Sequence, residues 1–229
     1  MAKTYFVTGT DTDAGKTVVS CGLLEAARQK QLQTIALKPV SAGCYSTPEG
    51  LRNGDAMNLM EAMTLELPYA QVNPVAFKPP IAPHIAAKEE GRRTTLDRLA
   101  GICRGALMRK HDLSLIEGAG GWRVPLNNRE MLSGLALEMN TPVILVVGMK
   151  LGCLNHALLS AEAIVRDGAR LAGWVANQVA PDMNHYKENV QTLKDSLPAP
   201  CLGVVPWLET LDNRAVAEYL DIQPLVKEP

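Results

Sequence analysis

Short apolar runs alternate with amphipathic stretches along most of the chain. Residues 5–8 (YFVT) predict a buried strand, and residues 17–30 follow with Val18, Cys21, Leu24 and Ala27 at helical spacing. Residues 34–40 (TIALKPV) predict a second strand, which Pro39 should end because proline cannot donate to a ladder. A helix over 96–110, with Leu96, Leu99, Cys103 and Leu107 on one face, leads into a short strand at 113–116 (LSLI). The second half keeps the rhythm: strand 143–147, helix 155–166, strand 171–179, helix 186–197, strand 202–205 and a helix near 215–220. Strands separated by single helices imply right-handed crossovers and buried, parallel pairing. The expected fold class is therefore α/β: a single doubly wound, mostly parallel sheet with helices on both faces.

Length and composition change this picture little. A chain of 229 residues fits one large domain or two small ones. No internal repeat or low-complexity segment divides it, so one domain over 1–229 is expected. The irregular part is about 43–91, where Pro48, Pro68, Pro74, Pro79, Pro80 and Pro83 cluster. It reads as an excursion from the sheet on the substrate side. Lys plus Arg number 23 against 24 Asp plus Glu, a formal net charge of −1. Without a basic excess, a dedicated nucleic-acid binder is not expected, although a local positive pocket remains open. The longest apolar run, 142–149 (PVILVVGM), is too short to span a bilayer, and residues 1–6 hold no apolar segment of a secretory signal. The five cysteines are scattered without a C-x-x-C pair, and the four histidines lack ligand spacing. A disulfide framework or zinc site is not expected, and a cytoplasmic setting is.

Chemistry concentrates after the first strand. Gly9-Thr10-Asp11-Thr12-Asp13-Ala14-Gly15-Lys16-Thr17 stands between a strand and a helix, the context of a phosphate-binding P-loop. Consecutive backbone N–H groups and the helix N-terminus can surround a phosphate, Lys16 can reach it, and the Thr17 hydroxyl can ligate Mg²⁺. Five residues, rather than the usual four, separate Gly9 from Gly15. A magnesium ion prefers near-octahedral oxygen ligands, so carboxylates are expected nearby. Glu117 ends an apolar strand and precedes Gly118-Ala119-Gly120-Gly121, where ligands collect in an open parallel sheet. Asp55 follows Asn53-Gly54 and reads first as part of a solvated turn. Lys38 closes the second strand, where a second cation could stabilise charge that develops during phosphoryl transfer.

These segments together resemble the dethiobiotin synthetase family. The resemblance runs from Tyr5 to about Leu208 and rests on VTGTDTDAGKT, ALKPV, TPEGLRNGDA, VNP, APH, IEGAGGW, VILVVGMKLGCLNHALL and AGWVAN. The five-residue P-loop spacing is the one this family uses. The resemblance implies a P-loop NTPase fold and an ATP- and Mg²⁺-dependent ligase. CO₂ (or bicarbonate) and 7,8-diaminononanoate would be joined, the carbamate phosphorylated, and a cyclic urea closed with release of ADP and phosphate. It further implies catalytic roles for Lys38, Lys16 and Thr12, and Mg²⁺ ligation by Thr17, Asp55 and Glu117. ATP contacts are implied at Asp13, Ala14, Gly15, Val18, Gly118, Ala119, Gly120, Asn177, Pro206, Trp207 and Leu208, with Asn177 facing the adenine. Substrate contacts are implied at Lys38, Ser41, Leu151, Gly152, Cys153, Leu154 and Asn155, the last five supplied by the partner of a homodimer.

Two positions depart from the family pattern: Asp13 stands where Glu is frequent, and Ala42 where a substrate-contacting Ser is common. Ser41, one residue earlier, is expected to replace that hydroxyl through a local backbone shift. Two competing readings lack their signatures. No Lys lies between Gly9 and Gly15, as a partitioning ATPase switch would carry, and Asn177-Gln178-Val179-Ala180 lacks the Lys and Asp of a guanine reader.

Overall fold

The computed structural model describes residues 2–226; Met1 and residues 227–229, the two ends of the expected domain, lie outside the described residues. Ten strands occur in chain order: β1 (Lys3–Gly9), β2 (Thr34–Leu37), β3 (Val40–Ser41), β4 (Tyr45–Thr47), β5 (Gly50–Arg52), β6 (Val75–Ala76), β7 (Leu113–Gly121), β8 (Val143–Met149), β9 (Leu171–Gln178) and β10 (Cys201–Val205). The helices are α1 (Lys16–Gln29), α2 (Gly54–Ala62), α3 (Tyr69–Val72), α4 (Pro83–Glu89), α5 (Leu96–Ala106), α6 (Gly134–Glu138), α7 (Cys153–Arg166), α8 (Tyr186–Ser196), α9 (Asn213–Ala217) and α10 (Gln223–Val226). None of these helices is long and apolar enough to cross a membrane.

Six strands form the main sheet in the order β10-β9-β8-β1-β7-β2, and every pair is parallel. A parallel sheet hides both faces, which is why β8 reads VILVVGM without polar alternation and is buried throughout. The helices supply the covering side chains: Leu23 and Leu24 of α1, Leu99 of α5 and Ile164 of α7 are all fully buried. They join Phe6, Ile35, Leu115, Ile116 and Trp174 in one continuous apolar cluster. From β1 the chain crosses to the edge strand β2, comes back to β7 between them, then passes to the other side of β1 for β8, β9 and β10. The carboxyl ends of β1, β7 and β8 therefore meet at the reversal point, where an open α/β sheet accepts ligands.

Several boundaries differ from the sequence reading for identifiable reasons. The strand expected over 34–40 ends at Leu37. Pro39 has no N–H to give, Lys38 donates its N–H to the Val72 carbonyl (2.8 Å), and Val40 starts a separate ladder against Val75. The strand expected to stop at Ile116 runs to Gly121, its glycine tail held by pairing of Gly121 with Gly9. The helix expected over 155–166 starts two residues earlier, at Cys153. The helix expected over 96–110 ends at Ala106, before an exposed Met108. The region 43–91 is less irregular than expected. It carries the antiparallel hairpin β4–β5 and the helices α2, α3 and α4, with Pro83 in the first turn of α4, where its missing N–H costs nothing.

Candidate active site

Three strand ends and one helix start build the site. The turn after β1 leads to α1, whose N-cap Gly15 sits at φ 85° and offers no side-chain cap. The first-turn N–H groups of this fourteen-residue helix are thus free for an anion, and no acidic residue occupies that turn. The loop itself is braced. The Thr10 N–H reaches the Val146 carbonyl (2.9 Å), and the Gly148 N–H donates to the Thr10 hydroxyl (3.2 Å). Asp11 accepts from the Thr12 N–H and pairs with Lys150 at 2.9 Å.

Gly15 is required by its surroundings as well as its dihedral. A Cβ there would stand 2.0 Å from Asn177 Nδ2, whereas a Cβ on Gly54 would meet nothing within 4 Å. Gly15→Ala is expected to weaken ATP binding by tenfold or more, since the left-handed backbone and the clash cost about 1–3 kcal/mol together. Gly54→Ala is expected to bind ATP normally. Isothermal calorimetry on the pair checks both, and equal affinities would refute the assignment of this loop.

Beneath the loop lies a compact set of charges. Glu117, with its side chain wholly buried, accepts hydrogen bonds from Thr17 Oγ1 (2.8 Å) and Lys38 Nζ (2.7 Å) at Oε1, and from Ser20 Oγ (2.9 Å) at Oε2. Lys38 also reaches Asp55 Oδ2 at 2.9 Å and the Gly118 carbonyl at 3.2 Å. Asp55 arrives on the first turn of α2, capped by Asn53, whose Oδ1 accepts from the Ala56 N–H. The sequence placed Asp55 in a solvated turn; that turn is instead a helix start aimed at Lys38. A helix N-terminus favours this carboxylate.

The electrostatics follow from this crowding. Burial opposes the charge on Lys38, but Glu117 and Asp55 outweigh it and hold the ammonium above its ordinary lysine value. Burial, reinforced by the nearby Lys38 charge, pulls Lys16 below its ordinary value against Glu117, Asp55 and Asp13. Burial would raise Asp55, yet Lys38, Thr17 and Lys16 hold its carboxyl below the usual range. Asp55 is therefore held ionised and Lys38 charged, with Lys16 the more readily neutralised cation.

A cavity of about 720 Å³ opens above this set. Thr12, Asp13, Gly15, Lys16, Thr17, Val18, Lys38, Ser41, Ala42, Asp55, Ala119 and Gly120 line it, as do residues to which the sequence reading gave no site role: Arg123, Val124, Pro125 and the segment Pro80–Ile81–Ala82–Pro83. The last group makes one wall apolar. Glu117 lies under the floor and acts through Thr17 and Lys38, while Ala14 is buried inside the loop. Ser20, also missed, sits three residues after Thr17, so helical spacing alone could have flagged it. Asn73 was noted only within a motif. Its Nδ2 donates to the Lys38 carbonyl (2.5 Å), fixing the backbone that presents Lys38.

The remaining expected residues fall elsewhere. Ser41 borders the cavity, but its buried hydroxyl lies 2.8 Å from Asn73 Oδ1 and donates to it. The Ser41 proton is thereby committed to Asn73 while its oxygen can still accept, and Ala42, also in the cavity lining, presents only a methyl. Asn177, the last residue but one of β9, gives one amide proton to the Ala14 carbonyl (3.1 Å), leaving its second Nδ2 proton and Oδ1 uncommitted. Gln178 joins this strand end to the turn carrying Pro206, Trp207 and Leu208 by accepting from the Trp207 N–H (3.4 Å). Leu151, Gly152, Cys153, Leu154 and Asn155 lie beyond the cavity lining, and Leu151 is 98% exposed.

The donor set tests the expected metal. Two carboxylates and one hydroxyl converge, all oxygen ligands, as a hard Mg²⁺ ion requires; sulfur and imidazole are absent from the set. Among the described residues, no cluster of three or more His, Cys, Asp or Glu side chains offers a denser site.

A family model described as an AAA domain matches residues 3–215. An ATP-dependent dethiobiotin synthetase BioD of Cellvibrio japonicus is 56% identical over 224 residues, covering 98% of both chains. The enzyme of the same name from Pseudomonas aeruginosa is 57% identical over 221 residues, covering 96% of this chain and 97% of its own. Among solved structures, MinD in the MinC:MinD complex of Aquifex aeolicus aligns with a TM-score of 0.58 at 14% identity, over 96% of this chain and 88% of that one. A ParA family ATPase of Chlorobium tepidum aligns at 0.57 and 10% identity, over 97% and 92%. At such low identity these two speak for the fold alone, a P-loop NTPase sheet.

Proposed function

The chain belongs to the family of ATP-dependent dethiobiotin synthetases, and on that premise we propose how its residues divide the work of forming the ureido ring. The substrates are CO₂ and 7,8-diaminononanoate. One amine adds to CO₂ and loses a proton to give a carbamate. A carbamate oxygen then attacks the γ-phosphorus of ATP, and ADP leaves. The second amine attacks the carbonyl carbon of the mixed anhydride, expelling phosphate and closing the ring. Phosphorylation is needed because a carbamate oxygen is a poor leaving group until phosphate carries its charge.

The residues suit these demands. The free N–H groups at the start of α1 and the Lys16 ammonium bind the β- and γ-phosphates, with Asp13, Ala14, Val18, Gly118, Ala119 and Gly120 framing them. Lys38 stays charged among its carboxylates, so it serves as an electrostatic clamp on the carbamate and the transferring phosphoryl, and does not act as a base. Thr12 stands at the cavity mouth beside both. Thr17, Asp55 and Glu117 would hold Mg²⁺. That ion, when bound, neutralises charge building between the β- and γ-phosphates. Asn177 with Pro206, Trp207 and Leu208 receives the adenine, Asn177 donating through its second amide proton and accepting at Oδ1 while it keeps its Ala14 bond.

Assembly completes the site. The exposed Leu151 and the start of α7 support a homodimer in which residues 151–155 of one subunit receive the substrate carboxylate bound in the other. The apolar wall of Pro80–Pro83, Val124 and Pro125 suits the methylene chain between the amines and that carboxylate. We place the whole chain in one domain and in the cytoplasm.

The observation that carries this reading is the contact of Lys38 with both Glu117 (2.7 Å) and Asp55 (2.9 Å) in the cavity the P-loop lines. The test is ADP release from ATP with bicarbonate, measured with and without 7,8-diaminononanoate. Release should depend on the diamine. Turnover independent of it, or none in its presence, rejects the proposal.

A further inference from the structure

Lys38 has no hydrogen to spare. Its ammonium carries three N–H donors, and three acceptors surround it: Glu117 Oε1 at 2.7 Å, Asp55 Oδ2 at 2.9 Å and the Gly118 carbonyl at 3.2 Å. The side chain is about 5% exposed. In this arrangement the cation needed by the carbamate is fully engaged by the protein. Two of its three partners, moreover, are carboxylates that belong to the proposed metal set, and Glu117 Oε1 also accepts the Thr17 hydroxyl, the third member of that set.

An ammonium and a divalent cation compete for these carboxylates. An oxygen that coordinates a metal is a weaker acceptor for Lys38, and two cations within a few ångströms of one oxygen repel each other, most strongly beside the wholly buried Glu117. Resting on the reading above, we propose that Lys38 and the divalent cation are alternative occupants of Asp55 and Glu117. Metal–nucleotide binding then releases the Lys38 ammonium toward the carbamate. The path is short, because Lys38 already lines the cavity that holds Lys16 and Thr12. Thr8 and Ser20 do not offer it another anion, and the Gly118 carbonyl remains as its tether. The coupling has a chemical purpose. The carbamate is stabilised by Lys38 only when a phosphoryl donor is present to trap it.

Linkage makes the competition measurable in both directions. With the chain labelled by ¹⁵N-lysine, the Nζ resonance of Lys38, assigned by its loss in Lys38→Met, should stay in place with ADP and EDTA. It should shift or broaden with ADP and Mg²⁺. An unmoved resonance while calorimetry records Mg²⁺–ADP binding overturns the proposal. In the second arm, Mn²⁺ alone is titrated by electron paramagnetic resonance at pH 8. Lys38→Met, which keeps length but not charge, should bind Mn²⁺ at least about tenfold more tightly than the unsubstituted protein, within the usual range of coupling between competing ligands. Equal or weaker binding by a variant with a native circular dichroism spectrum also overturns it. If that variant does not fold, the resonance arm decides. Neither arm uses diamine, bicarbonate or turnover, so the competition can fail while diamine-dependent ADP release stands, and the reverse.

Discussion

Lys38→Ala is expected to lower kcat for ADP release by about 10²–10³, the usual effect of deleting one preorganised donor aimed at developing charge, with Mg²⁺–ATP binding undiminished. The expectation separates two lysines that look alike in the sequence. Lys16 lies within the loop that wraps phosphate, its Nζ 3.2 Å from the Asp11 carbonyl, so its loss should damage nucleotide binding. Lys38 directly follows β2, two strands from β1 in the sheet, and its ammonium bonds to Glu117, Asp55 and Gly118. What it can reach beyond them is the far side of the cavity, where the carbamate must stand to attack in line. Arginine is not expected to rescue activity. A planar fork does not match three acceptors arranged around one nitrogen. Steady-state kinetics with saturating diamine, paired with calorimetric ATP affinity, checks the split between kcat and binding. A loss confined to nucleotide affinity would move Lys38 from the reacting centre to the ATP site.

How far the sequence carried depended on whether a feature was local. The six main strands and their helices were legible because each is a contiguous run whose burial imposes a period on its own residues, as in β8 and α5. The P-loop was legible for the same reason, with nine consecutive residues carrying its chemistry. Asp55 was not, because its function depends on α2 starting at Gly54 and pointing its first turn at β2, a relation between segments seventeen residues apart. Its recovery needed the family resemblance. At Ser41, too, sequence proximity could not show the partner: its hydroxyl donates to Asn73 Oδ1, a residue of a distant segment, while Ser41 and Ala42 both line the cavity. Arg123 carries no motif, and the Pro80–Pro83 wall only the first two residues of APH, to which no role was attached. They border the cavity only because the turns after β7 and before α4 fold over it.

Glu117→Ala is expected to damage stability and turnover together, and the contrast with Glu117→Gln tells why. The wholly buried carboxylate is the common acceptor for Thr17, Ser20 and Lys38. Alanine leaves two hydroxyl donors unpaired and an ammonium short of one counter-charge. Breaking a buried ion pair from one side costs about 3–5 kcal/mol. The lower end applies, because Asp55 still faces Lys38 at 2.9 Å. For a chain of this size, each kcal/mol moves Tm by about 2–4 °C, so a fall of roughly 10 °C is expected by scanning calorimetry. Glutamine keeps the shape and one oxygen acceptor, so Glu117→Gln should recover most of that Tm. It should not recover turnover, since an amide cannot replace the charge that faces Lys38 and would face the proposed Mg²⁺. Two phenotypes at one position then separate two roles: acceptor capacity holds the end of β7 against α1, and negative charge organises the cations. Should Glu117→Gln restore turnover along with Tm, the carboxylate would be a structural acceptor only, and Asp55 with Thr17 would carry the metal alone.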